Sequence, residues 1–379
     1  MAASKVKSPW ARTFRAYLGR VMVAAALSGA PVAWAHGPDA PPHHLYQVGD
    51  LPLENGGTIK DFAISYVTQG TLNADKSNAI LMVTAIGGNH HRIDFLIGPG
   101  KALDTDRYFI IATDAIGNGL TTSPSTSSSQ HGIAFPHFTI RDMVQSQKLL
   151  LDHLGIVHLV AVAGASMGGM QALQWGVSHP DAMDALVALT PMARTAPWSI
   201  AVNEATRKAL MLDPAFKDGA YDRQPELGWR LRADILQVLA ARTPDALRSI
   251  APMPLDILPW IKTQEDAVLK SGFDANDWIA QTWAYDRHNI GDTPGFSGDH
   301  LKALAAVKAR TLIITGGNLD LYNPVEEARE AGAYIPQASV VAVPSVQGHT
   351  TATATKAADV DFMNRTVRDF LMSVGPRRP

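Results

Sequence analysis

The stretch Gly164-Ala165-Ser166-Met167-Gly168 sets a serine between two glycines, where an apolar run (159–163) meets helical spacing (170–177). A serine hydroxyl attacks an acyl carbon only when a base takes its proton and an acid orients that base. Two later loops offer such groups. GGNLDLYNP follows the apolar TLIIT and carries Asp320, and PSVQGHTT follows VVAV and carries His349, 29 residues further on. Glu326 and Glu327 are rival acids, but they fall in a helix-like run after Pro324. Together Ser166, His349 and Asp320 have the chemistry of acyl transfer through a covalent serine intermediate. The alternative without chemistry is a glycine-rich turn with an incidental serine.

A tetrahedral intermediate also needs donors for its oxyanion. The backbone N–H of Met167, at the start of a helix, is one candidate. The loop after an earlier apolar run, LMVTAIGGNHH, supplies the N–H of Ile86 as the second. His90, His91 and Arg92 follow directly. They either face a substrate pocket as an anion grip or form a solvated loop face.

The elements that must position these groups are legible as short apolar runs at residues 79–84, 108–113, 157–163, 186–190, 311–315 and 339–343. Such runs mark strands buried on both faces, as in a parallel sheet. Alternation over residues 59–68 adds a further strand. Between the runs, Ile140, Met143, Val144, Gln147, Leu150, Leu151 and Leu154 have helical spacing that Gly155 closes. Residues 359–372 read as a final helix. Strand and helix in alternation mean α/β. Residues 121–130 (TTSPSTSSSQ) read as a loop.

Residues 196–299 break the rhythm, with helix-like stretches, five of the eight tryptophans and no convincing strand. They read as a helical lid inserted between core segments 36–195 and 300–379, over the sheet edge where open α/β sheets bind ligands. A separate helical domain is the alternative.

The first 35 residues carry Lys5, Lys7, Arg12, Arg15 and Arg20 and no acid, then VMVAAALSGAPVAWA. This is the pattern of a secretory signal peptide cleaved after Ala35, which predicts a periplasmic or secreted protein. An N-terminal anchor is the alternative, but the apolar run is short of the roughly 20 residues a span needs. Without that segment the net charge is about −7, against nucleic acid or an anionic membrane as partner. The absence of cysteine excludes disulfides, thiolate metal sites and a cysteine nucleophile. Residues 36–44 (HGPDAPPHH) read as a loose lead-in rather than a metal site. No metal and no cofactor are expected.

Several segments carry a family resemblance: LIGPGKALDTDRYFII, TTSPS, FPHFTIRDMVQSQKLLLDHLGI, GASMGGMQALQW and NEATRKALMLDP. With these the chain resembles the homoserine O-acetyltransferases, a branch of the α/β-hydrolases. The resemblance implies an α/β-hydrolase fold with a mostly parallel sheet and a helical lid. It also implies a triad of Ser166, Asp320 and His349, an acyl-enzyme, and a possible homodimer. The departures concern the substrate grip. The family's aspartate after the histidine is replaced by Thr350. The lid arginine that holds the substrate carboxylate falls on Ala233, so that Arg232 substitutes only with a one-residue shift, about 100° of helix rotation. TAIGG stands where members have HALTG. These losses, together with export, favour an exported serine hydrolase of an ester or thioester. The alternative is an acyl-CoA-dependent O-acyltransferase, and a catalytically silent binding protein is a minor one. In either enzyme the partner is a small acyl substrate.

Overall fold

The computed structural model describes residues 43–353 and 355–374. The expected leader and the lead-in up to residue 42 lie outside the described residues. Eight strands run in chain order as β1 (His44–Pro52), β2 (Thr58–Gln69), β3 (Ala79–Val83), β4 (Phe109–Thr113), β5 (Leu159–Ala165), β6 (Met183–Leu189), β7 (Arg310–Thr315) and β8 (Ala338–Ala342). They form one sheet in the order β1-β2-β4-β3-β5-β6-β7-β8. The pairs β1/β2 and β2/β4 are antiparallel and the rest are parallel.

The central strands are apolar throughout because both of their faces are covered. Leu81 and Val83 enter one core, and Ile80 and Met82 enter the other. The first core holds α1 (Ile140–His153) and α2 (Met167–Ser178), and the second holds the closing helix. Each fully buried aliphatic side chain contributes about 1.5–3 kcal/mol. Thr139 and Asp142 close a reciprocal capping box at the start of α1, and Gly155, at φ 65°, follows its end.

Residues 197–286 are helical: α3 (Pro197–Met211), α4 (Glu226–Ala233), α5 (Pro244–Ile250), α6 (Ile257–Lys270) and α7 (Ala275–Asp286). The chain then returns to the sheet through α8 (His300–Ala305), α9 (Val325–Tyr334) and α10 (Ala357–Val374). Among the described residues no helix is long and apolar enough to cross a membrane.

The end of the lead-in differs from the expectation. His44 opens β1, paired with Tyr66 on β2, and His43 Nδ1 lies 3.2 Å from the hydroxyl of Ser65. β1 is an edge strand that leaves most of its side chains exposed, so it has no apolar alternation to read.

Candidate active site

At the C-terminal end of β5 the chain turns into α2 through Ser166, at φ 57° and ψ −121°. This backbone is costly for any residue with a Cβ. It persists because its surroundings leave no alternative. A Cβ on Gly164 would lie 2.4 Å from the Gly168 carbonyl oxygen, and one on Gly168 would lie 2.4 Å from that of Val83. The Ser166 N–H donates to Leu189 O at 2.8 Å, which fixes the turn to β6.

The loops after β7 and β8 bring the other two groups to the same edge. His349 Nε2 stands 2.8 Å from Ser166 Oγ, and His349 Nδ1 stands 2.9 Å from Asp320 Oδ2. All three are buried, Ser166 at 1% exposure. The second oxygen of Asp320 accepts the N–H groups of Tyr322 (2.9 Å) and Asn323 (3.0 Å), which hold the carboxylate rigid. With Nδ1–H directed to the carboxylate, Nε2 is the acceptor for the serine proton. Tyr322 sets its ring at right angles to that of His349, with centroids 5.0 Å apart. Glu326 and Glu327 lie in the first turn of α9, as expected.

The register Val83↔Gly164 places the end of β3 beside the serine turn. Ile86 lies in the turn that follows, closed by Gly88 N–H to Ala85 O at 3.0 Å. Met167 is the first residue of α2, where an N–H has no intrahelical acceptor and the helix dipole is positive. Gln281 on α7 was not foreseen. Its Oε1 accepts Gly87 N–H at 2.8 Å and its Nε2 donates to Ile116 O at 3.1 Å, fastening the turn that bears Ile86 to the helical region. Nothing in the sequence spacing links residues 87 and 281.

The expected substrate contacts divide. His90 is a correction: its ring is turned to Asp114 and His43, with Nδ1 3.0 Å from Asp114 Oδ2. A buried carboxylate at the end of β4 draws it inward. His91 pairs with Asp94 at 2.7 Å, and that hydrogen bond raises its pKa. Arg92 is half-buried, and burial lowers its pKa to about 10.

The structure buries Arg232, the candidate lid cation. It is 5% exposed, with its guanidinium 3.7 Å above the Trp278 ring and 5.6 Å from that of Trp229. Burial lowers its pKa to about 10, while the neighbouring Tyr322 opposes the shift. Its buried Nε has no hydrogen-bond partner among the described residues. Directly after α4 the helix widens into a π-helical segment, Asp234–Ala240. Thr350 is buried and its hydroxyl donates to Gln347 O at 2.9 Å, so position 350 offers no charge.

The helical region is tied to the Asp320 loop. Ser199 Oγ donates to Tyr322 O at 2.6 Å, the Tyr322 hydroxyl donates to Asn203 Oδ1 at 2.6 Å, and Trp198 Nε1 donates to Leu321 O. Asn323 Nδ2 donates to Thr190 O at 2.6 Å and its Oδ1 accepts the Tyr285 hydroxyl.

The family described as alpha/beta hydrolase fold matches residues 78–347, most of the chain. The chain belongs to the α/β-hydrolase fold family. It is 35% identical over 317 residues to a homoserine O-acetyltransferase of Methanosalsum zhilinae, covering 75% of this chain and 63% of that protein. The chain thus spans less than two thirds of the length of such curated relatives. The solved structure of the acetyl esterase MekB is similar, with a TM-score of 0.81, 30% identity, and 87% and 97% of the two chains covered. Homoserine O-acetyltransferase from Bacillus anthracis gives a TM-score of 0.78 at 27% identity, again over 87% and 97%. The chain is therefore an α/β-hydrolase-fold enzyme similar to both acetyltransferases and acetyl esterases.

Proposed function

We propose that the chain is a serine O-acyltransferase that moves a short acyl group to a hydroxyl acceptor carrying an anionic group. The observations that carry this reading are the near-complete burial of Ser166 and the buried cation Arg232, whose electrostatic neighbour Tyr322 packs against His349. An acyl-enzyme sequestered from bulk water survives long enough to meet an alcohol, and a buried guanidinium selects an anionic one. The curated relatives, named homoserine O-acetyltransferase, support transfer over the hydrolysis that the sequence favoured. Thr350 speaks against homoserine itself, because no carboxylate stands there for its ammonium group.

In the mechanism, His349 Nε2 takes the Ser166 proton as Oγ attacks the acyl carbonyl. Asp320 holds the imidazole tautomer and balances the imidazolium. The N–H groups of Met167 and Ile86 receive the oxyanion. His349 then protonates the leaving group, and in the second half it deprotonates the acceptor hydroxyl that releases the acyl group. The helices of residues 196–299 serve as the lid.

A second reading, hydrolysis with water as acceptor, is favoured by Thr350 and by the likeness to an acetyl esterase. Export with cleavage after Ala35 belongs to the proposal, and cell fractionation tests it. An exported enzyme would draw its acyl group from an ester rather than from acyl-CoA. A homodimer is proposed on the family resemblance, with light scattering as its test.

The deciding experiment supplies acetyl-CoA or p-nitrophenyl acetate with and without short hydroxy acids. Transfer predicts an O-acetyl hydroxy acid by mass spectrometry and faster donor turnover with acceptor. Acetate released at the same rate without acceptor would establish hydrolysis. Ser166→Ala should lower turnover by roughly 10⁶-fold. Arg232→Met should raise KM for the anionic acceptor by about tenfold or more, the loss of at least one charge-assisted contact.

A further inference from the structure

We propose that His43 and His90, backed by Asp114, form a binding site for a borderline divalent cation such as Zn²⁺ or Co²⁺. Asp114, at the end of β4, is almost fully buried. One of its oxygens accepts the His90 N–H at 2.9 Å and Asn118 Nδ2 at 3.0 Å, and the other accepts the Ser65 hydroxyl at 2.7 Å. The carboxylate also lies 3.0 Å from His90 Nδ1, so that nitrogen carries the ring proton and donates it. Because the Ser65 hydroxyl gives its hydrogen to Asp114, it accepts from His43 Nδ1 at 3.2 Å.

Both imidazoles are therefore held through Nδ1–H, one by a carboxylate and one by a hydroxyl bound to the same carboxylate. Their Nε2 atoms approach to 3.1 Å with the rings nearly perpendicular at 84°. Two Nε2 lone pairs brought this close repel each other unless an electrophile lies between them. Nitrogen ligands of a cation lie about 2.0–2.1 Å from it, and an N···N separation of 3.1 Å then corresponds to an N–metal–N angle of about 98°, within the range of ordinary coordination. Carboxylate–histidine pairs of this kind orient and strengthen a metal-bound imidazole. Ligand atoms of His43, His90 and Asp114 all lie within 4.8 Å of one another. Among the described residues Asp114 has no lysine or arginine partner, so its buried negative charge favours a cation behind the imidazole. Imidazole nitrogen is a donor for zinc-like ions rather than for calcium or magnesium.

The site shares no residue with the Ser166, His349 and Asp320 triad and does not rest on the proposed reaction. It is tested on the tag-free full chain by titration with Zn²⁺ and by the visible absorption of bound Co²⁺. The expected result is one saturable equivalent per chain. His43→Ala should weaken binding at least tenfold, and Ser65→Ala should weaken it less, as a ligand-orienting partner does. His44→Ala, next in sequence and exposed, should leave binding unchanged. Circular dichroism of each variant separates lost binding from lost folding. Absence of saturable binding would mean that a shared proton fills the gap and would overturn the proposal. So would binding that survives both His43→Ala and His90→Gln, or that disappears with His44→Ala alone.

Discussion

Asp277 shows how far burial, aided by a neighbouring like charge, moves a side chain in this enzyme. It sits on α7, accepts Ser125 N–H at 2.8 Å and the Ser125 hydroxyl, and its pKa is pushed up to about 7, first by burial and then by the charge of Asp274. Between pH 4 and 7 the unfolded chain has lost this proton while the folded chain retains it. Its contribution to stability is therefore greatest in acid and is lost as pH rises through 7, on the order of a few kcal/mol in all. Asp277→Asn should raise Tm relative to the parent at pH 8 and bring the two together near pH 4, as thermal unfolding at both pH values would show. The groups proposed for the chemistry were legible because a reacting serine, its base and its acid each follow a strand. Gln281, Tyr322 and Asn323 were not, since their roles arise from contacts across the fold. The setting of Arg232 was hidden for a related reason: it stands in the regular helix α4, but the Trp278 ring beneath its guanidinium comes from α7.

At the scale of elements, the turn between β5 and α2 depends on atoms that are absent as much as on those present. Gly168→Ala would press a Cβ to 2.4 Å from the Val83 carbonyl oxygen, and neither backbone can yield without moving β3. We expect a loss of several kcal/mol, read as a large drop in the denaturation midpoint, or failure to fold. Strands β3, β4 and β5 were readable because double burial makes each a short apolar run with a glycine-bearing loop behind it. β1 was not, since its mostly exposed residues follow no period. The same edge position hid the cation cluster. His43, Ser65, His90 and Asp114 come from four segments that the antiparallel pairing of β1, β2 and β4 and the parallel pairing of β3 with β4 bring together.

For the whole molecule, the order α/β core, helical region, α/β core was visible as an interruption in the strand series. The contacts that join the parts were not. Ser199, Asn203 and Trp198, all on α3, hold the loop that carries Asp320. The outer part of the helical region is thinly anchored, and α6 has no buried residue. Segments with little buried contact open at lower free energy than a central sheet. In a urea series, acyl turnover should therefore vanish before the amide protons of the central strands lose their protection from hydrogen exchange; coincident midpoints would show that the two parts unfold as one. Proteolytic nicks should likewise accumulate between residues 240 and 275 while the sheet is intact. Because α3 grips the acid-bearing loop, damage confined to the periphery of this enzyme would silence its chemistry without unfolding it. Wear would thus register as lost activity long before it registered as aggregation.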